Sequence, residues 1–133
     1  MLKRLLFLGL VSGVLAGIAS VLYQQLYTHT VGADFSAVAK PVGIVITSTI
    51  GCLIASLGYW ALHRMTKRNT DVIFNLIFVV LSFVSLLGPI KAKLPLDYDR
   101  PELFFGLLVP MHLFPVLGWL TLRPLFVSFR EAA

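Results

Sequence analysis

Four long apolar segments that contain no Asp, Glu, Lys or Arg constrain this sequence most. They run from 5 to 27, from 42 to 62, from 72 to 90 and from 103 to 122. A helix that crosses the hydrocarbon core of a bilayer needs about 20 predominantly apolar residues. Because a helix also satisfies its own backbone hydrogen bonds in lipid, we predict four transmembrane helices.

The overall composition supports a membrane protein rather than a soluble domain. The chain has 133 residues, of which 58% are hydrophobic and 13% are charged, whereas soluble domains carry about 25% charged residues. The segments take up most of the chain and are joined by short connections, which place consecutive helices antiparallel. We therefore predict an all-α, polytopic membrane protein, with residues 1–133 forming a single antiparallel four-helix bundle.

The Lys and Arg residues between the segments predict the orientation of the chain. Cytoplasmic loops of membrane proteins carry an excess of these residues. With the N-terminus inside, seven of them lie on the cytoplasmic side and four outside, where four acidic residues cancel their charge: Asp34, Asp97, Asp99 and Glu102. We predict that both termini are cytoplasmic. The net charge of +5 is then explained by the Lys and Arg residues that orient the chain in the membrane. We therefore expect no nucleic-acid partner.

Small residues recur at helical spacing in the first two segments. Gly9, Gly13 and Gly17 are four residues apart, and Gly43 and Gly51 form a weaker row in the second segment. Residues four apart share one face of a helix, and a face without side chains lets another helix approach closely. These rows predict helix packing within the molecule, packing against another subunit, or the lining of a pore or lipid groove.

His112 is the histidine that lies inside a segment, between Pro110 and Pro115. Each proline removes one helical hydrogen bond and frees a carbonyl one turn earlier, and Pro115 would free that of Met111. An unpaired imidazole is costly in hydrocarbon. We predict that His112 is neutral, faces the bundle interior and hydrogen-bonds to a hydroxyl or a carbonyl near the middle of the membrane.

Other polar residues lie at similar depth when the four segments are aligned by their centres. Thr49, Cys52 and Ser82 then share a layer with His112, and Asn75 lies about one turn into the third segment. Polar residues inside a membrane are candidates for function, so this set is a candidate proton relay or ligand site. The alternative is that they only tie helices together by hydrogen bonds.

The predicted outer loops contain the remaining candidate residues. Asp34, Asp97 and Asp99 bring carboxylates to one side of the membrane, but their spacing matches no calcium loop. A solvated rim that neutralises its own charge is the alternative. Cys52 is the single cysteine, so no C-x-x-C motif exists. We expect no metal site, no cofactor and no catalytic residues.

Three short motifs resemble a known family. GADF follows the first segment, SLLGP closes the third, and MHL lies within the fourth. Together these motifs are similar to a group of uncharacterised bacterial four-helix integral membrane proteins, defined as a domain of unknown function. The resemblance implies a four-helix fold in a bacterial cytoplasmic membrane, and it implies no activity.

Three functions are compatible with these features. The first is a non-enzymatic accessory or interaction subunit, either as a homo-oligomer or in a larger membrane complex, based on the small-residue rows. The second is a transporter of a small solute or of protons, based on the layer around His112. The third is a lipid- or quinone-binding protein, based on Trp60, Trp119 and the aromatic residues of the fourth segment.

Cysteine labelling tests the predicted topology. In a Cys52→Ala background, Ser36→Cys should react with an impermeant maleimide from outside the cell, and Asn69→Cys should react only from the cytoplasmic side. Modification of both positions from the same side would contradict the number of spans.

Overall fold

The computed structural model describes residues 1–32, 34–66, 68–91 and 102–127. Its helices are α1 (Leu2–Val31), α2 (Pro41–Met65), α3 (Thr70–Ser85), α4 (Leu87–Lys91) and α5 (Leu103–Phe126). No β-strand occurs in these four stretches. The predicted all-α fold with four main helices is therefore confirmed, whereas the side of the membrane on which the termini lie stays a prediction.

Three of the helices, α1, α2 and α5, are long and apolar enough to cross a membrane. Helix α3 is apolar, but its 16 residues extend over only about 24 Å. It ends at Ser85, and the short helix α4 begins at Leu87. Pro89 has no amide hydrogen to donate to the carbonyl of Ser85, four residues earlier. The structure therefore divides the third predicted span, 72–90, into two helices.

The glycine row of α1 brings this helix into backbone contact with α2. A Cβ atom at Gly17 would lie 2.7 Å from the Cα of Val45, and one at Gly9 would lie 2.9 Å from a carbonyl oxygen of α2. At Gly13, a Cβ would overlap the Cα of Thr49. Because the glycine numbers fall while the α2 numbers rise, α1 and α2 are antiparallel.

Gly43 and Gly51 do not take part in this contact. A Cβ at either position would meet no atom of another helix within 4 Å among the described residues. The expectation that they form a helix-packing row is therefore corrected for the described part of the chain. The row of α2 that meets α1 passes through Val45 and Thr49, and Gly43 and Gly51 lie well around the helix from it.

Helix α5 runs parallel to α2 and also packs against α1. The indole N–H of Trp119 donates to the hydroxyl of Ser56 at 2.9 Å, and one turn earlier the thiol of Cys52 is 3.6 Å from the carbonyl of Pro115. The ring of Phe7 lies 5.6 Å from that of Phe126. The start of α1 and the end of α5 therefore lie at the same end of the bundle.

The surface of the helices is largely apolar, and the buried interior contains polar side chains as well as apolar ones. Large apolar side chains are exposed along the helices, for example Leu22 at 60% and Leu76 at 67%. Seven polar side chains are buried beside the apolar core: Ser12, Ser20, Gln24, Ser48, Ser56, Thr70 and Ser82. A continuous apolar surface is stable in lipid and costly in water, so this surface and the three long helices indicate a membrane protein.

The contact between α1 and α2 predicts opposite effects for two glycine substitutions. Gly13→Ala should lower the free energy of unfolding by about 1–3 kcal/mol, because its Cβ has no room beside Thr49. Gly51→Ala, the matched control on α2, faces open space and should leave stability unchanged or slightly raised. Thermal unfolding in detergent measures both. A Gly13→Ala protein as stable as the wild type would contradict the contact.

Candidate functional site

A groove of about 680 Å³ lies between the N-terminal halves of α2 and α5, with Ser85 of α3 at its edge. It is open because Gly43 and Gly51 contribute no side chains to the α2 wall. The apolar part of its lining includes Ile44, Phe104, Leu108 and Met111. Its polar side chains are Lys40, Thr47, Ser48, Ser85 and His112. The groove therefore combines an apolar surface with a few hydrogen-bonding groups.

His112 reaches this groove from α5. Its neighbours at helical spacing, Leu108, Met111 and Pro115, line the same wall. The Nδ1 atom of His112 is 3.0 Å from the carbonyl oxygen of Leu108, and the side chain is partly buried. His112 was predicted to hydrogen-bond to a hydroxyl or a carbonyl, and its partner is a carbonyl. This carbonyl belongs to Leu108, however, and not to Met111, whose carbonyl Pro115 was expected to free.

The other members of the predicted polar layer do not hydrogen-bond to His112 in the described structure. The hydroxyl of Thr49 donates to a carbonyl of its own helix at 2.8 Å, and that of Ser82 does the same at 2.6 Å. The Cys52 thiol is directed to a carbonyl of α5. The prediction that Thr49 shares a polar layer with His112 is wrong, because Thr49 faces α1. The hydroxyl groups that line the groove with His112 belong to Thr47, Ser48 and Ser85.

The first turns of α5 are held by two tyrosine hydroxyls from α1. Pro110 has no amide hydrogen for the carbonyl of Gly106, and Tyr23 donates to this oxygen at 2.9 Å. Tyr27 donates to the carbonyl of Leu103 at 2.6 Å. The proline thus frees a backbone acceptor, as the sequence predicted, and a neighbouring helix uses it. These two bonds position the wall of the groove that carries His112.

The predicted outer-loop site is only partly described. The Asp34 carboxylate accepts a hydrogen bond from the Ser36 amide at 2.8 Å, and this bond lowers the pKa of Asp34 below its ordinary value. Asp97 and Asp99 lie outside the described residues. Within the described ranges, no three His, Cys, Asp or Glu side chains are close enough together to hold a metal ion.

A second polar cluster, which the sequence analysis missed, ties α3 to α2 and α5. Arg123 lies 3.5 Å from the carboxylate of Asp71 and donates to the side-chain oxygen of Asn75 at 3.1 Å. The Tyr59 hydroxyl donates to Asp71 at 2.5 Å. Asn75 therefore bonds between helices, and the structure does not bring it together with His112. The Arg123 side chain is only 13% exposed. Besides adding to the positive charge that predicts orientation, it therefore joins α5 to α3 inside the bundle.

Aromatic side chains close this cluster off from the surroundings. Tyr59 and Trp119 are both 0% exposed, and the ring centroids of Phe74 and Trp119 are 4.8 Å apart. The available sequence signal was the spacing of Asp71 and Asn75, which share one face at the start of a helix. That spacing does not identify Arg123 as the partner, because the pairing depends on how α3 and α5 meet.

The fold and the groove define a small polytopic helical membrane protein. Residues 2–97 match the model of a family described as "Family of unknown function (DUF6069)", so the chain belongs to this family. The resemblance to a family of unknown function is thereby confirmed. The match spans α1 to α4, whereas α5 lies beyond it. No curated protein and no solved structure shows significant similarity to the chain.

A double-mutant cycle tests the cluster around Arg123. Asp71→Asn and Arg123→Gln should each destabilise the protein, and together they should show a coupling energy of about 1–2 kcal/mol, because the two residues share one network of ion pairs and hydrogen bonds. The control pairs Asp71→Asn with Arg68→Gln, whose parent side chain is exposed, and should be additive. Unfolding in detergent supplies all the energies, and additivity at Arg123 would contradict the ion pair.

Proposed function

We propose that this protein is a non-enzymatic binding protein of a bacterial cytoplasmic membrane, and that its groove holds an amphiphilic molecule of the lipid or quinone class. The observation that carries the proposal is the lining of the groove. Ser48 and His112 supply polar atoms among apolar side chains, which is the composition of small-molecule sites in proteins. A molecule with a polar head and a long apolar tail fits such a lining.

The groove favours this function over that of an interaction subunit. The small-residue row of α1 was the main reason to expect a partner protein, and this row is in contact with α2 of the same chain. Self-association or assembly into a larger membrane complex stays a proposal that needs another surface. The exposed apolar faces of the helices are explained by contact with the lipid bilayer alone.

Transport of a small solute or of protons is the second candidate. Helix α3 is interrupted after Ser85, and Ser85 lies at the edge of the groove. Interrupted helices in secondary transporters often border the substrate site. Flux into proteoliposomes that disappears in a His112→Ala protein would favour this candidate over binding alone.

Photo-crosslinking tests the proposed binding. Diazirine analogues of hexadecanol and hexadecanoic acid are incubated with the protein in lipid nanodiscs, and competition with the unlabelled compound measures saturable labelling. At least one probe should label peptides of α2 and α5. Gly51→Leu should reduce this labelling at least fivefold, because its side chain enters the open groove.

The matched control is a second groove of about 410 Å³, which is lined entirely by apolar residues of α1 and α2. Ile46→Phe narrows this groove and should leave the labelling of α5 unchanged. Labelling that Ile46→Phe removes and Gly51→Leu spares would locate binding at the wrong groove. The absence of saturable labelling with both probes would contradict the proposed function.

A further inference from the structure

The hydrogen bond between His112 and Leu108 determines which of the two imidazole nitrogens faces the groove as an acceptor. A carbonyl oxygen only accepts hydrogen bonds, so the Nδ1 atom, 3.0 Å away, has to carry the proton. In the neutral imidazole the Nε2 atom then presents a lone pair. No carboxylate lines the groove within the described residues, so an imidazolium has no counterion there.

Ser48, on the opposite wall, has the complementary property. Its side chain is only 8% exposed and lines the groove, and in the described part of the chain its hydroxyl has no hydrogen-bond partner. The other two hydroxyls that line the groove already donate hydrogen bonds within their own helices. Thr47 donates to the carbonyl of Gly43 at 2.7 Å, and Ser85 donates to that of Ser82 at 2.6 Å. Ser48 therefore retains a donor that a bound molecule is able to use.

One acceptor and one donor on facing walls select the chemistry of the ligand head. We propose that the groove binds an amphiphile with an alcohol head, whose hydroxyl donates to Nε2 of His112 and accepts from the hydroxyl of Ser48. Its aliphatic or isoprenoid chain lies against Ile44, Phe104 and Leu108. This inference rests on the proposed binding function and names the ligand class of the same groove.

Head groups that only accept hydrogen bonds leave Nε2 of His112 unsatisfied. The carbonyl of a quinone or a ketone accepts from Ser48 but has no hydrogen for Nε2. A carboxylate has the same defect and also brings a charge into an apolar groove. Lys40 lines the groove as well, but its side chain is exposed, so it does not have to be neutralised by a ligand.

Three probes with one chain length separate these possibilities: hexadecanol, hexadecyl methyl ether and 2-hexadecanone. Each competes with the diazirine analogue of hexadecanol for the protein in nanodiscs. The ether and the ketone accept a hydrogen bond but do not donate one. Hexadecanol should therefore bind the wild type at least tenfold more tightly than either, because without a donor Nε2 is left unpaired.

Two variants assign the two hydrogen bonds. His112→Phe should reduce the preference for hexadecanol over the ether to less than twofold, since the acceptor is gone. Ser48→Ala should weaken the alcohol and the ether by the same factor and keep their ratio, since both accept from Ser48. Ile46→Phe is the control and should change neither affinity. Circular dichroism and elution as a single species verify that each variant is folded.

The wild-type comparison decides the inference even if His112→Phe does not fold. Saturable binding with equal affinity for the alcohol, the ether and the ketone overturns the alcohol head but leaves the proposed binding function intact. Tighter binding of the ketone overturns the assignment of Nε2 as an acceptor. If no probe binds saturably, both the inference and the proposed function fail.

Discussion

The structure depends on the backbone contact between α1 and α2. Hydrophobicity does not hold two helices together in lipid, because the lipid chains are as apolar as leucine. The row of Gly9, Gly13 and Gly17 replaces it with close van der Waals contact along more than two turns. This contact determines the rotation of both helices about their axes. It directs Tyr23 and Tyr27 of α1 toward α5 and leaves the Gly43–Gly51 side of α2 facing the groove.

The polar groups of the interior fall into two classes that differ in what remains available for binding. Arg123, Asp71, Asn75 and Tyr59 satisfy one another, which makes their cluster a structural tie for α3. The hydroxyls of Ser12 and Ser20 donate to carbonyls one turn earlier in α1. The groove differs because it contains hydrogen-bonding atoms that the described protein leaves unused. This difference is why we assign binding to the groove and stability to the cluster.

The sequence predicted more of the fold than of the candidate site. The apolar segments depend on local chemistry, and three of the four correspond to long helices. His112 was also identified, because an imidazole in an apolar segment is conspicuous. Its neighbours were not, since aligning segments by depth ignores rotation. Thr49 and Ser48 lie at nearly the same depth, yet Thr49 faces α1 and Ser48 lines the groove.

The sequence by itself determined the helical class, the approximate bounds of the helices and their confinement to a membrane. These properties follow from hydropathy, from proline chemistry and from the need to satisfy the backbone in lipid. Only the tertiary structure decided which faces meet. In a soluble helix the apolar stripe marks the buried face, but the helices of this protein are apolar nearly all round. Hydropathy therefore did not show which glycine row is buried, and steric fit between neighbouring helices made one row a contact and the other the wall of a groove.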